Sequence, residues 1–221
     1  MLLTNSKPYY QFIDNQSNHT WIVVSGWSLL GSFVIKPVKK SNVLFVSDYD
    51  PYTLLEDIDF WFKEYAIQDY SIMGFSLGGL WLSQYVSYFM MAKKVVFSGI
   101  RSRYMEQDIS SLRLGLESNF CEILTLFWRN CISVSFNSDT YFQNQQDYSW
   151  QCKRLLRGLD YLNEFDFQWP WPLEDEKVHF FHGQLDRIAP LKEITKQDAY
   201  DFQVIKRQGH ICCPDLDILD G

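Results

Sequence analysis

Apolar and polar positions alternate along this chain in blocks rather than singly. Residues 20–24 (Thr-Trp-Ile-Val-Val) form a β-branched apolar run that ends in Ser25-Gly26-Trp27-Ser28. Residues 42–46 do the same before Ser47-Asp48-Tyr49-Asp50-Pro51. Both read as strands buried on two faces and followed by loops. Residues 53–65 carry Leu54, Leu55, Ile58, Phe60, Trp61 and Phe62 at helical spacing, with acids early and Lys63 late, as the helix dipole favours. A strand over 70–73, an apolar helix over 80–91 and a strand over 94–98 follow. Strands alternating with helices predict an α/β fold, a mostly parallel sheet flanked by helices on both faces.

From residue 104 to 166 the alternation stops. Amphipathic, aromatic-rich segments at 112–116, 120–128 and 150–162 predict a helical insertion leaving the carboxyl end of a strand, the edge where open parallel sheets bind ligands. The sheet resumes at 177–181 and ends with a strand at 201–205. No repeat or low-complexity linker interrupts the chain, so residues 1–221 are expected to form one domain with 104–166 as a lid.

Composition narrows the function classes. The 221 residues are 47% hydrophobic and 17% aromatic, enough for a large core and an apolar pocket. Core packing accounts for most of the aromatics. A net charge of −7 argues against general nucleic-acid binding. The first residues lack the pattern of a signal peptide, no window reaches membrane-spanning length, and five cysteines without paired spacing suit a reducing compartment. A cytoplasmic protein, without membrane or nucleic-acid partners, is expected. Cys212-Cys213 has no metal spacing around it and reads as packing.

The most informative stretch is Gly74-Phe75-Ser76-Leu77-Gly78-Gly79, between an apolar run and a helix. A serine at a sharp strand-to-helix turn stands clear of the sheet, and small neighbours let the chain reverse. The helix beginning there offers free amides to a developing oxyanion. A serine nucleophile needs a base, and the base needs an acid to orient it. His182-Gly183-Gln184-Leu185-Asp186 leaves one strand and Gln208-Gly209-His210 leaves the last. The order Ser76, Asp186, His210 is that of a nucleophile-elbow hydrolase. Asp160 and Asp166 are rival acids, placed in the insertion. The backbone amides of Trp27 and Leu77 are the candidate oxyanion donors. The chemistry requires neither a metal nor an organic cofactor.

The loop Ser25-Gly26-Trp27-Ser28-Leu29, the serine elbow, Leu156-Arg157-Gly158-Leu159-Asp160-Tyr161-Leu162 ahead of Phe165-Asp166, and His182-Gly183-Gln184-Leu185-Asp186 together resemble the α/β-hydrolase esterases of the BioH and BioG type. Those enzymes demethylate pimeloyl-acyl-carrier-protein methyl ester in biotin biosynthesis. The chain departs from the family in two places. Ser25 replaces the usual histidine of the loop, and the tail after His210 is short. The resemblance implies a monomeric carboxylesterase whose partner is acyl carrier protein. Trp27, Phe120, Phe127, Trp128, Phe142 and Trp150 would line the acyl channel. Arg101, Arg103, Lys153, Arg154 and Arg157 would dock the acidic carrier on an otherwise acidic enzyme. The same residues leave three alternatives open: another acyl ester or thioester hydrolase, a menaquinone-pathway lyase, and a noncatalytic binding protein on the same scaffold.

Overall fold

The computed structural model describes residues 9–132, 150–170, 173, 175–194 and 201–219. Seven strands form one sheet: β1 (Tyr9–Ile13), β2 (His19–Val24), β3 (Asn42–Ser47), β4 (Asp69–Phe75), β5 (Val95–Ser98), β6 (Val178–Gly183) and β7 (Asp201–Ile205). Their order is β1-β3-β2-β4-β5-β6-β7, and every pairing is parallel except that of β1 with β3. The continuous apolar runs are explained by burial: all of β3 and β5, and β2 and β4 after their first residues, are shut off from solvent.

β1 was not anticipated. It is a half-exposed edge strand with Gln11 in it, and its apolar side packs on α1 (Leu54–Glu64) and the residue that ends it, with Tyr10 against Trp61 and Phe12 stacked on Tyr65. The helix expected at 80–91 starts earlier and ends sooner, as α2 (Leu77–Gln84), because Ser76 itself caps it and Leu80 bonds back to the Ser76 carbonyl. The apolar residues beyond pack as a short 3₁₀ turn, Val86–Phe89.

The insertion contains α3 (Glu106–Cys131), broken at Asn119 by non-helical angles, and α4 (Cys152–Glu164). Gly115 makes the break tight, since a Cβ there would lie 2.4 Å from Ile123. An Arg113–Asp160 ion pair joins α3 to α4. The Phe167 amide bonds the Ser102 carbonyl at 2.9 Å, drawing the two ends of the insertion together at its base. After β7 the described residues form a loop and one 3₁₀ turn, Leu216–Ile218, whose Leu216 is fully buried. No helix among the described residues is long and apolar enough to cross a membrane.

Candidate active site

The site is assembled where β2, β4, β5, β6 and β7 end. Between β4 and α2, Ser76 has φ 53° and ψ −114°, a left-handed backbone that L-residues avoid. Close approach holds it there. A Cβ on Gly74 would lie 2.5 Å from the Gly78 carbonyl, and one on Gly78 would lie 2.2 Å from the Val24 carbonyl. The elbow is therefore pressed against the end of β2. Gly26 continues that contact, with its Cβ position 3.0 Å from Cβ of Ser76. This brings the Trp27 loop beside the serine. Neither the Trp27 nor the Leu77 backbone amide donates to another group among the described residues.

The acid and the imidazole come from neighbouring loops laced together. The Leu185 amide bonds the Gln208 carbonyl at 2.8 Å, and a Cβ on Gly183 would collide with the Gly209 carbonyl at 1.8 Å. Asp186 Oδ1 accepts the amides of Ile188 and Ala189, both at 2.8 Å, while Oδ2 accepts Nδ1–H of His210 at 2.8 Å. Both side chains are fully buried. His182 Nε2 lies 3.4 Å from the same carboxylate but donates to the Ala189 carbonyl at 2.7 Å, which braces the loop. With Nδ1 committed as a donor, the other nitrogen of His210 is left as the acceptor. That Nε2 is buried and has no hydrogen-bond partner. The ring packs on Phe75, next to the serine, at 4.9 Å between centroids.

The Ser76 hydroxyl is bonded to the Tyr104 hydroxyl, at 3.4 Å, and not to His210. Burial pushes the Tyr104 phenol up to about 12, against the pull of the Ser76 hydrogen bond and with help from the Asp186 charge. Tyr104 is thus neutral at physiological pH. Sequence reasoning passed it over. Its one signal was position, just after the loop that leaves β5, the strand beside the serine strand.

A cavity of about 390 Å³ opens over Ser76, within the range of small-molecule sites. Trp27, Tyr104, Ile109, Leu112, Phe127 and Leu162 line it, together with the charged Arg101, Asp108, Arg187 and Glu193. Of the six aromatics expected to line an acyl channel, Trp27 and Phe127 border this cavity. Trp128 and Trp150 are buried away from the cavity, Trp128 donating to the Ser28 carbonyl at 2.8 Å and facing Trp150. Phe120 packs against the core, and Phe142 lies outside the described residues.

The basic residues are divided in the same way. Arg101 is buried between Glu193 at 2.6 Å and Asp108 at 3.3 Å. Arg154 pairs with the buried Asp48 at 3.1 Å, and Arg157 pairs with Asp50 at 3.0 Å while lying over the Tyr52 ring. Arg101 and Arg154 are thus turned into the fold, while Arg157 is held by Asp50 with its side chain still 40% exposed. Arg103 is exposed beside Asp166, and Lys153 is exposed on α4. The rival acids Asp160 and Asp166 are engaged with Arg113 and Arg103, and only Asp186 meets a histidine at the site. Burial pushes the Cys212 and Cys213 thiols up to about 12 and about 11, leaving both protonated and poorly nucleophilic.

Neither a protein-family model nor a curated protein matches the sequence. Solved structures do match the fold. A bromoperoxidase from Bacillus anthracis is similar with TM-score 0.73 and 17% identity, over 92% of this chain and 88% of that one. A thermophilic esterase from Thermogutta terrifontis is similar with TM-score 0.71 and 13% identity, over 95% and 89%. An esterase from Exiguobacterium antarcticum is similar with TM-score 0.70 and 14% identity, over 92% and 88%. The chain has the α/β-hydrolase fold.

Proposed function

We propose that the protein is a serine carboxylesterase with Ser76, His210 and Asp186 as its catalytic triad. The observation that carries this reading is the buried Asp186–His210 pair, which leaves one bare imidazole nitrogen on a ring packed against Phe75, the residue before a serine held at positive φ. In the reaction, Ser76 turns from Tyr104 to His210, gives up its proton and attacks the ester carbonyl. The Trp27 and Leu77 amides receive the oxyanion, each worth about a hundredfold or more in rate. His210 then protonates the departing alcohol, and water activated by the same nitrogen releases the acid. Two of the similar structures are named as esterases, which agrees with this chemistry.

The substrate we propose is pimeloyl-acyl-carrier-protein methyl ester, cleaved in the cytoplasm for biotin synthesis. A methyl ester masks a carboxylate, so its chain can pack on an apolar wall without the cost of burying a charge. Ile109, Leu112, Phe127 and Leu162 supply such a wall. Docking of the acidic carrier would fall to Arg103 and Lys153, the exposed members of the set, because Arg101 and Arg154 are turned inward and Arg157 is held by Asp50.

A fluorophosphonate probe should label the wild type and not Ser76→Ala. Equal labelling of both would remove Ser76 as the nucleophile. Rates on the carrier-bound methyl ester should exceed those on free dimethyl pimelate and on an acyl thioester. No preference for the first would defeat the substrate assignment and leave the esterase reading standing. In a biotin-requiring strain lacking its methyl esterase, the wild type should restore growth and Ser76→Ala should not.

A further inference from the structure

The sheet order places the groups around Ser76 on two sides. β4, which carries the serine, lies between β2 and β5. The oxyanion amide of Trp27 follows β2. Tyr104 follows β5, on the side where β6 and β7 deliver Asp186 and His210. In a tetrahedral intermediate the oxyanion and the leaving alkoxy oxygen are different substituents of one carbon. The alkoxy oxygen must face His210, since His210 protonates it. Tyr104 stands on that same side, buried and 3.4 Å from the attacking oxygen.

We propose that the Tyr104 hydroxyl is a catalytic group on the leaving-alcohol side of Ser76. It holds the serine hydroxyl in the free enzyme. After Ser76 has turned to His210, it donates a hydrogen bond to the alkoxy oxygen of the bound ester. This role rests on the reading of Ser76 as nucleophile.

Two observations make the phenol suited to that task. It is built in, with its ring beside the Arg101 guanidinium at 5.3 Å, and Arg101 is itself clamped by Glu193 and Asp108. It also remains a neutral donor, because burial keeps its proton on. The proton count is unchanged by its presence. His210 takes the Ser76 proton as the Oγ–carbon bond forms and passes it to the alkoxy oxygen as the carbon–oxygen bond breaks. Tyr104 keeps its own proton throughout. Its hydrogen bond strengthens as negative charge builds on the departing oxygen, so it favours the transition state over the bound substrate.

A ring that merely fills space would serve equally well as phenylalanine, which gives the test. Wild type and Tyr104→Phe are compared on esters of one acyl group with leaving alcohols from methanol and ethanol to p-nitrophenol, and in labelling by a fluorophosphonate. Alkoxide leaving groups need help, whereas p-nitrophenolate and fluoride depart without it. Tyr104→Phe should lose about tenfold or more in kcat/KM on the methyl and ethyl esters, the usual range for a hydrogen bond to a charged oxygen. It should keep its p-nitrophenyl ester rate within about threefold, the low end for a hydrogen bond between uncharged groups. It should label at least as fast as wild type, because its serine is no longer held away from His210. Unchanged methyl ester hydrolysis, or the same loss on every substrate and probe, overturns the role of Tyr104. Turnover of both ester types by Ser76→Ala overturns the nucleophile reading instead, so the two failures are told apart.

Discussion

Replacing Asp186 by asparagine isolates what the acid does, because the side chain keeps its shape and only one contact has to change. Oδ1 accepts two backbone amides at 2.8 Å. Turning the new NH₂ toward them would set donor against donor and strand two buried N–H groups, at about 1–3 kcal/mol each. The substituted amide therefore keeps its carbonyl on Ile188 and Ala189 and points its NH₂ at Nδ1 of His210. That nitrogen must then accept, so the imidazole proton moves to Nε2, the atom that has to receive the Ser76 proton. In Ser-His-Asp enzymes this wrong tautomer costs about 10⁴-fold in kcat. At about 1.36 kcal/mol per decade that is roughly 5 kcal/mol of barrier. The two loop hydrogen bonds survive, so the fold should persist. The assay is kcat and KM on an alkyl ester and a p-nitrophenyl ester, with a urea unfolding midpoint as control. A folded Asp186→Asn within tenfold of wild type would show that His210 needs no orientation from this carboxylate.

Three further outcomes follow from particular contacts. Gly183→Ala sets a methyl group against the Gly209 carbonyl at 1.8 Å, where backbone must move; it should cost about 1–3 kcal/mol in urea unfolding and lower the esterase rate by shifting His210 from Asp186. Wild-type stability and rate would mean that the two loops do not meet. Arg154→Ala leaves the buried Asp48 carboxylate without its guanidinium and should destabilise the protein by about 3 kcal/mol or more, an unchanged midpoint refuting the clamp. Asp69 is partly buried, which raises its proton affinity, but hydrogen bonds from Lys93 and His19 outweigh this and hold the carboxyl below its ordinary value. Its contribution to stability is therefore full above the unfolded-state value of about 4 and is lost as pH falls through the lower folded value. Asp69→Asn should flatten that acid limb, and identical unfolding curves for both proteins from pH 2 to 6 would show that the pairing contributes nothing.

The sheet was legible because parallel strands are buried on both faces, so β2 to β6 announce themselves as largely apolar runs between loops. β1 was not, since an antiparallel edge strand needs only one apolar side and carries Gln11 on the other. Asp186 and His210 could be read from their places after two strands, and they meet at 2.8 Å. Aromatic lining could not be read, because an indole facing a cavity and one facing the core look alike in sequence. Trp27 and Trp128 both donate to backbone carbonyls in buried settings, and only Trp27 reaches the pocket. Charge misled for a related reason: a basic residue shows its sign but not its partner. Arg154 and Arg157 sit more than a hundred positions from Asp48 and Asp50.

Those two ion pairs alter the view of the lid. α4 is fastened to the loop after β3 through Asp48 and Asp50, and it reaches the oxyanion loop as well. The Trp27 indole donates to the Leu155 carbonyl at 2.8 Å. Gly158 packs so closely that an added Cβ would lie 2.9 Å from the Trp27 side chain and 3.1 Å from that of Leu77, the two residues proposed as oxyanion donors. A movable cover could not hold those amides in place, and preorganised donors are where electrostatic catalysis is strongest. On the proposed mechanism α4 belongs to the machinery that fixes the oxyanion site, with arginines as its fasteners. Most of the apolar wall comes from α3, whose Ile109, Leu112 and Phe127 face the cavity, with Leu162 added from α4. Changes along α3 should alter which acyl chain is accepted, and changes at Gly158 should alter kcat for every ester alike.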